Sequence, residues 1–267
     1  MERRKVTVQT IMGMKGKQRI AMITAYDYPM ARLVDQAGID GILVGDSMGM
    51  AVLGFENTLK VTLRDMLIHV AAVARAKPKA LLIADMPFMT YETGVRDALR
   101  NASSSSGGRR AVKPEGGQEI FDVVNNLVKF GIPVMGHIGL NPQRVLSLGG
   151  FRMIGKTEEQ AKKLIEDAKA LQEAGAFAIV IEMVPASVAK AVTESVKIPT
   201  ICIGAGPHCD GQILVIHDIL GLTERPPSFA KKYVDLASII RDAVTKYVSE
   251  VRGGEFPSTE YYKDIKS

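Results

Sequence analysis

The stretch TEEQAKKLIEDAKALQEAGAFAIVIE, residues 157–182, decides the fold. Thr157 and Gln160 stand at capping-box spacing, the signature of a helix start. Ala161, Leu164, Ile165, Ala168 and Leu171 then recur on one helical face, and Gly175 is placed to end the helix. Phe177–Ile181 follows as an unbroken apolar run that is too short for a helix, and it closes on Glu182. An unbroken run, as opposed to an alternating one, suits a strand buried on both faces of a parallel sheet.

The same unit recurs along the chain. Further apolar runs are Ile20–Thr24, Gly41–Gly45, Ala80–Ala84, Ala111–Lys113, Ile132–Gly136, Pro199–Ile203 and Ile213–Ile216. Between them, Thr62–Ala76 carries Leu63, Met66, Leu67, Val70 and Val73 at helical spacing, and Gln118–Phe130 carries Ile120, Val124, Leu127 and Val128. Tyr233, Leu236, Ile240, Val244 and Tyr247 form a last stripe. Strands alternating with helices over about 200 residues predict an α/β fold, a closed (β/α)8 TIM barrel. An open doubly wound sheet is the competing architecture. No composition break marks a second domain, so residues 1–267 are read as one barrel domain. Residues 1–19 form its N-terminal helical cap and residues 252–267 an extended C-terminal tail.

Composition narrows the class of function. The chain has 267 residues, 46% of them hydrophobic, and a net charge of +5 from 34 basic and 29 acidic side chains. That is ordinary for a globular protein with its own core. The basic runs are short (Arg3–Lys5, Arg109-Arg110, Lys231-Lys232), Trp is absent, and no basic stripe is interleaved with aromatics. Nucleic acid is therefore excluded as the main partner, and the mild positive field suits small anionic substrates. No apolar stretch is long enough to span a membrane, and no signal-peptide core follows the N-terminus. Cys202 and Cys209 are too few for a disulfide framework, so buried thiols, a reducing compartment and a cytoplasmic location are expected.

One segment breaks the pattern. Ala102–Ala111 contains four serines and two glycines where a helix belongs. With no apolar face, it reads as a flexible loop or as an altered segment.

In a barrel of this kind the active face is built at the strand C-termini. Asp46-Ser47 follows the second run, Asp85 the third, and Lys113 then Glu115 the fourth. His137 follows the fifth and Glu182 the sixth. Asp46, Asp85 and Glu115 are hard oxygen donors without companion Cys or His, which favours Mg2+. The plain alternative for each is a helix cap or a salt-bridged carboxylate. Lys113 is placed to neutralise a substrate carboxylate or an enolate oxygen, to form a Schiff base, or simply to pair with an acid. Glu182 is a general base raised by burial, or a strand-end partner of a helix cation. His137 donates to substrate or is a satisfied core histidine, and His69 reads as structural. Gly204-Ala205-Gly206 reads as a tight turn. Asp46–Lys60, with Gly49 and Gly54, is long enough for a lid.

Several segments together resemble the ketopantoate hydroxymethyltransferase family. They are Ile23–Tyr28, Leu43–Met50, Ala84–Met89, Gly136–Gln143, Ile203–Gly206 and Asp210–Val215, and the likeness runs from about residue 7 to residue 257. The resemblance implies a barrel of the pyruvate/phosphoenolpyruvate-binding type, assembled as a homo-oligomer, commonly a decamer. It implies hydroxymethyl transfer from 5,10-methylenetetrahydrofolate to 3-methyl-2-oxobutanoate, the first committed step of pantothenate synthesis, through an enolate stabilised by Mg2+. By the same likeness Mg2+ is held at Asp46, Asp85 and Glu115. The oxo acid contacts Asp46, Ser47, Asp85 and Lys113, and Glu182 is the base. The sequence departs from the family at Ala102–Ala111 and at Pro114, which stands between Lys113 and Glu115 where the family has an apolar residue. Proline is poorly tolerated inside a strand, so the placement of both neighbours hangs on it. A related metal-dependent lyase or aldolase acting on 2-oxo acids, and a non-catalytic barrel impaired at residues 102–115, are the competing readings.

Overall fold

The computed structural model describes residues 3–106 and 110–263. The chain divides into two compact units, Met1–Ile216 and His217–Ser267. The first holds all eight strands: β1 (Ile20–Thr24), β2 (Gly41–Val44), β3 (Leu81–Asp85), β4 (Ala111–Lys113), β5 (Met135–Gly139), β6 (Ala178–Glu182), β7 (Thr200–Ile203) and β8 (Gly211–Leu214). All pairings are parallel, in the order β4-β3-β2-β1-β8-β7-β6-β5. The two ends of that order meet through a parallel bridge between Val112 and Val134, with Val112 N donating to Pro133 O at 3.0 Å. The sheet is thus a barrel, as the sequence predicts, and not an open sheet.

Strand periodicity sorts the core into two shells. Facing inward are Ile20 and Met22, Leu43, Leu81 and Ile83, Ala111, Met135, Ala178 and Val180, Ile201 and Ile213. Val6 and Ile11 join them, with Ile11 in the N-terminal helix Val8–Gly13. Facing outward, Val112, Val134, Ile138, Ile179, Ile181 and Cys202 pack on the helices through Ala98, Val124, Leu127, Leu164, Ala168, Leu171, Ala189 and Val192. Each buried Val, Leu or Ile among them contributes roughly 1.5–3 kcal/mol. The Glu158–Glu173 helix begins where its sequence predicts: Thr157 accepts from Gln160 N. Gln160 does not return the bond to Thr157; its Oε1 accepts from Gly155 N and Lys156 N.

Several expectations are corrected. First, Ala102–Ser106 is the last turn of a helix, Val95–Ser106, and not a loop; Gly107–Arg109 lie outside the described residues. An apolar face does exist, made by Ala98 and Ala102, both fully buried. The Ser103 and Ser104 hydroxyls donate back to Arg100 O, a geometry helices tolerate. Second, Cys202 and Cys209 are not thiols but a disulfide, with Cα atoms 5.6 Å apart. Ile203 is joined to Gly211 by residues 204–210 with no helix, whereas a parallel crossover ordinarily takes about a dozen residues or more. The disulfide and the buried Ala205 close this short connection against Ala189 and Val192. Third, β5 runs three residues later than Ile132–Gly136, because its ladder with β6 extends from Met135–Ala178 to Gly139–Glu182. His137 is therefore inside the strand. β8 likewise starts at Gly211, and Ile216 opens the short helix Ile216–Ile219. The Asp46–Lys60 segment is not a long open loop; it holds the helical turns Met48–Ala51 and Thr58–Lys60.

The second unit is built on the helix Leu236–Gly253, which ends at Gly254 in the left-handed conformation. The chain after it turns back rather than running extended, placing Phe256 5.6 Å from the Tyr247 ring and 5.5 Å from Tyr261. No helix among the described residues is long and apolar enough to cross a membrane.

Candidate active site

Continuing the inward alternation by one step in each strand replaces an apolar residue with a polar one. Leu81 and Ile83 lead to Asp85, Ala111 to Lys113, Met135 to His137, and Ala178 and Val180 to Glu182. The strands are in register there, with Asp85 opposite Lys113 and Gly139 opposite Glu182. Asp46 and Glu115 join from just beyond β2 and β4. Asp46, Asp85, Lys113, Glu115 and His137 are each no more than 3% exposed. The sequence-predicted residues thus converge in one place.

Pro114 does not disturb this. The ladder ends at Lys113, whose carbonyl accepts from Met86 N at 3.0 Å, and Gly116 N donates to His137 O. The missing proline N–H falls where no ladder bond is needed. Among the described residues, Pro114 therefore gives no geometric ground for an impaired barrel.

Each carboxylate has one oxygen held by a neutral donor. Asp85 Oδ2 accepts from Asp46 N at 3.0 Å. Asp46 Oδ2 accepts from Gln143 Nε2 at 2.8 Å, and Glu115 Oε2 from Gln143 N at 3.0 Å. Lys113 Nζ lies 3.1 Å from Asp85 Oδ1 and donates to His137 Nδ1 at 3.0 Å. That contact makes Nδ1 an acceptor and leaves the ring proton on Nε2, 3.2 Å from Glu182 Oε2. Nε2 is close to Glu182 but not aligned with it as a hydrogen bond. Glu115 Oε1 sits 3.3 Å from Nδ1. Ser47 Oγ lies 2.9 Å from Tyr26 OH, and His69 Nδ1 meets Tyr26 O at 2.7 Å, the structural role expected of it.

Burial dominates the electrostatics. It raises the proton affinity of Asp46, with Asp85 and Glu115 adding to the rise. It raises Asp85 and Glu115 as well, although Lys113 opposes it in both. Burial works against the Lys113 charge, but Asp85, Glu115 and Asp46 outweigh it and hold the ammonium above its ordinary range. Burial, then Lys113, lowers His137, so the imidazole is neutral near pH 7.

Two residues here escaped the sequence reading. Tyr91 and Gln143 are both buried, and Tyr91 OH donates to Gln143 Oε1 at 2.8 Å while accepting from Glu115 N at 3.0 Å. Neither ends a strand; only the motif containing Gln143 carried a signal. A cavity of about 220 Å³, lined by Gly139, Asn141, Arg144 and Lys163 among others, takes in none of the cluster's side chains.

The donor set can be tested against a divalent cation. One buried lysine faces three buried carboxylates, and Asp85 Oδ1 has only the Lys113 ammonium beside it, 3.1 Å away. Hard oxygens in excess of positive charge fit Mg2+. Among the described residues no three acidic, His or Cys side chains converge tightly enough to hold an ion by themselves. Such a site suits an ion that keeps water and substrate oxygens as partners.

Residues 5–259 match the family model described as ketopantoate hydroxymethyltransferase. The chain is 74% identical over 265 residues to the 3-methyl-2-oxobutanoate hydroxymethyltransferase of Caldivirga maquilingensis, covering 99% of this chain and 100% of that one. It is 72% identical to the protein of the same name from Pyrobaculum calidifontis, covering 98% and 100%. Among solved structures, a phosphonopyruvate hydrolase superposes with a TM-score of 0.63 at 14% identity, covering 97% of this chain and 92% of that one. A 2,3-dimethylmalate lyase, a PEP mutase/isocitrate lyase superfamily member, superposes at 0.58 and 16% identity, covering 96% and 91%. At such identities the likeness is one of fold.

Proposed function

Because this chain belongs to the ketopantoate hydroxymethyltransferase family, we propose that it moves a hydroxymethyl group from 5,10-methylenetetrahydrofolate to 3-methyl-2-oxobutanoate, giving 2-dehydropantoate for pantothenate synthesis. One observation carries the reading. The inward face of four successive strands ends in Asp85, Lys113, His137 and Glu182, and two carboxylates, an ammonium and an imidazole gathered at one end of the barrel support the reading.

The chemistry requires loss of a proton from C3 of the oxo acid and stabilisation of the charge left behind. Glu182 is assigned as the proton acceptor, the most exposed of the site's carboxylates with 16% of its side chain open. Lys113, held protonated among acids, stabilises negative charge on the substrate's oxygens. Asp46, Ser47 and Asp85 line the oxo-acid site. His137, neutral and with Nε2–H unaligned to Glu182, keeps a proton to offer the substrate. Asp46, Asp85 and Glu115 would hold Mg2+, which supplies Lewis-acid polarisation of the oxo acid when bound. The new C–C bond forms at the donor's methylene carbon, and hydrolysis frees tetrahydrofolate. We assign the chain to the cytoplasm and to a homo-oligomer, commonly a decamer in this family; light scattering tests the latter.

The test is exchange of the C3 hydrogen in D2O, followed by proton NMR, with Mg2+ and no folate. Wild type is expected to exchange, and Glu182→Gln to lose about 100-fold or more. Equal rates overturn the base assignment. Repeating the assay with folate and with a free aldehyde as acceptor separates hydroxymethyl transfer from an aldolase.

A further inference from the structure

We propose that Tyr91 is a positioning residue that acts through Gln143 to set where the Asp46 and Glu115 carboxylates point. The inference rests on the reading of those carboxylates as the cation and oxo-acid site.

Among the described residues Gln143 alone bonds both carboxylates: its side-chain amide reaches Asp46 Oδ2 and its backbone N reaches Glu115 Oε2. Nε2 also donates to Met86 O at 2.9 Å, so two acceptors decide which end of the amide faces them. The other end, Oε1, is held by Tyr91 OH at 2.8 Å. The same hydroxyl accepts from Glu115 N at 3.0 Å. Tyr91 therefore ties the peptide carrying Glu115 to the amide that grips Asp46. Its partners use one oxygen of each carboxylate, leaving Asp46 Oδ1 and Glu115 Oε1 for the site.

The ring itself is pinned. Tyr91 is 1% exposed, and the turn that delivers it is fixed by Thr90 Oγ1 donating to Pro87 O and Asn101 Nδ2 donating to Thr90 O. Asn101 lies in the Val95–Ser106 helix, so the serine-rich helix anchors this turn from behind. Tyr91 has no polar contact with Lys113, His137 or Glu182 among its hydrogen bonds, which separates it from the proton-transfer step. Removing its hydroxyl should disturb cation and oxo-acid binding while leaving the folate side of the reaction alone.

The experiment is a double-mutant cycle on Tyr91→Phe and Gln143→Met. The first readout is Mn2+ binding, by electron paramagnetic resonance, to the full-length protein without substrates. The second is the KM for each substrate against kcat. Each single variant is expected to weaken Mn2+ about tenfold and to raise the KM for the oxo acid, with the KM for the folate donor unchanged. The loss in the double variant should fall short of the sum of the two single losses, because Tyr91 has no route to Asp46 once the amide is gone and keeps only its bond with the Glu115 peptide. Additive losses, or wild-type Mn2+ affinity in Tyr91→Phe, overturn the proposal. If Tyr91→Phe does not fold, Gln143→Met decides by itself: wild-type affinity in that variant overturns the proposal. A wild-type protein that binds no Mn2+ at millimolar concentration fails the metal reading as well. Weak binding confined to the variants fails neither.

Discussion

Gly139→Ala is the sharpest test of how the barrel positions its base. Gly139 ends β5 opposite Glu182 with φ at +98°. An added Cβ would stand 2.2 Å from Glu182 O, 3.0 Å from Val184 Cγ1 and 3.1 Å from Glu182 N. Carbon and carbonyl oxygen ordinarily approach no nearer than about 3.3 Å, so the overlap is roughly 1 Å against a backbone that already accepts from Leu140 N. Two costs follow. A side chain in left-handed backbone costs about 1–2 kcal/mol, and forcing an atom into a packed site costs about 1–3 kcal/mol more. Gly38→Ala is the control: its φ is +94°, and nothing lies within 4 Å of its added Cβ. Urea unfolding followed by circular dichroism should therefore show Gly139→Ala less stable than Gly38→Ala by about 1–3 kcal/mol. The deuterium-exchange rate of Gly139→Ala should fall further than its folded fraction accounts for, since a shift of about 1 Å in a catalytic group can cost about 100-fold. Equal destabilisation in the two variants would refute the close-approach argument.

Other outcomes follow from the same contacts. Mg2+ at about 100 times its Kd should stabilise the wild type by about 2.7 kcal/mol, and Asp85→Asn should lose most of that increment; an equal thermal shift in both rejects Asp85 as a ligand. Asp210 is held below its ordinary range: burial opposes its charge, but bonds from Thr200, Lys15 and Gly16 outweigh burial. Its stabilisation is present above the ordinary carboxylate value of ~3.9 and is lost as pH falls through the lower folded value. Wild type should therefore lose more stability on acidification across that window than Asp210→Asn, and parallel acid curves would contradict this. The Cys202–Cys209 link closes a short loop, for which chain entropy gives roughly 2–3 kcal/mol. Dithiothreitol should lower the urea midpoint of wild type and leave that of the Cys202→Ala, Cys209→Ala double variant unmoved.

Most of the barrel was legible because parallel strands buried on both sides leave unbroken apolar runs. β1 and β4 begin and end where those runs do. The site was legible for a related reason, since a charged residue closing such a run has nowhere to point but the strand's end. β5 was misplaced because His137 and Gly139 look like loop residues, and only pairing with β6 makes them a strand. The serine-rich helix failed as a reading because propensity counts four weak residues, while packing is decided by Ala98 and Ala102. The disulfide depends on a crossover without a helix, which spacing alone does not reveal. Tyr91 and Gln143 stayed hidden because their role lies in what they touch across the fold, with 52 positions between them.

Among the described residues the barrel closes through two isolated bridges, Val112 to Val134 and Gly116 to His137, where every other neighbouring pair shares a ladder. Lys113 and Glu115 stand on one bank of that seam and His137 on the other, with Lys113 reaching across to His137 Nδ1. The polar contacts of the reaction centre therefore double as stitches for the weakest joint in the staves. Opening of that joint would part Lys113 from His137, so the integrity of the closure bears directly on the geometry of the reaction centre.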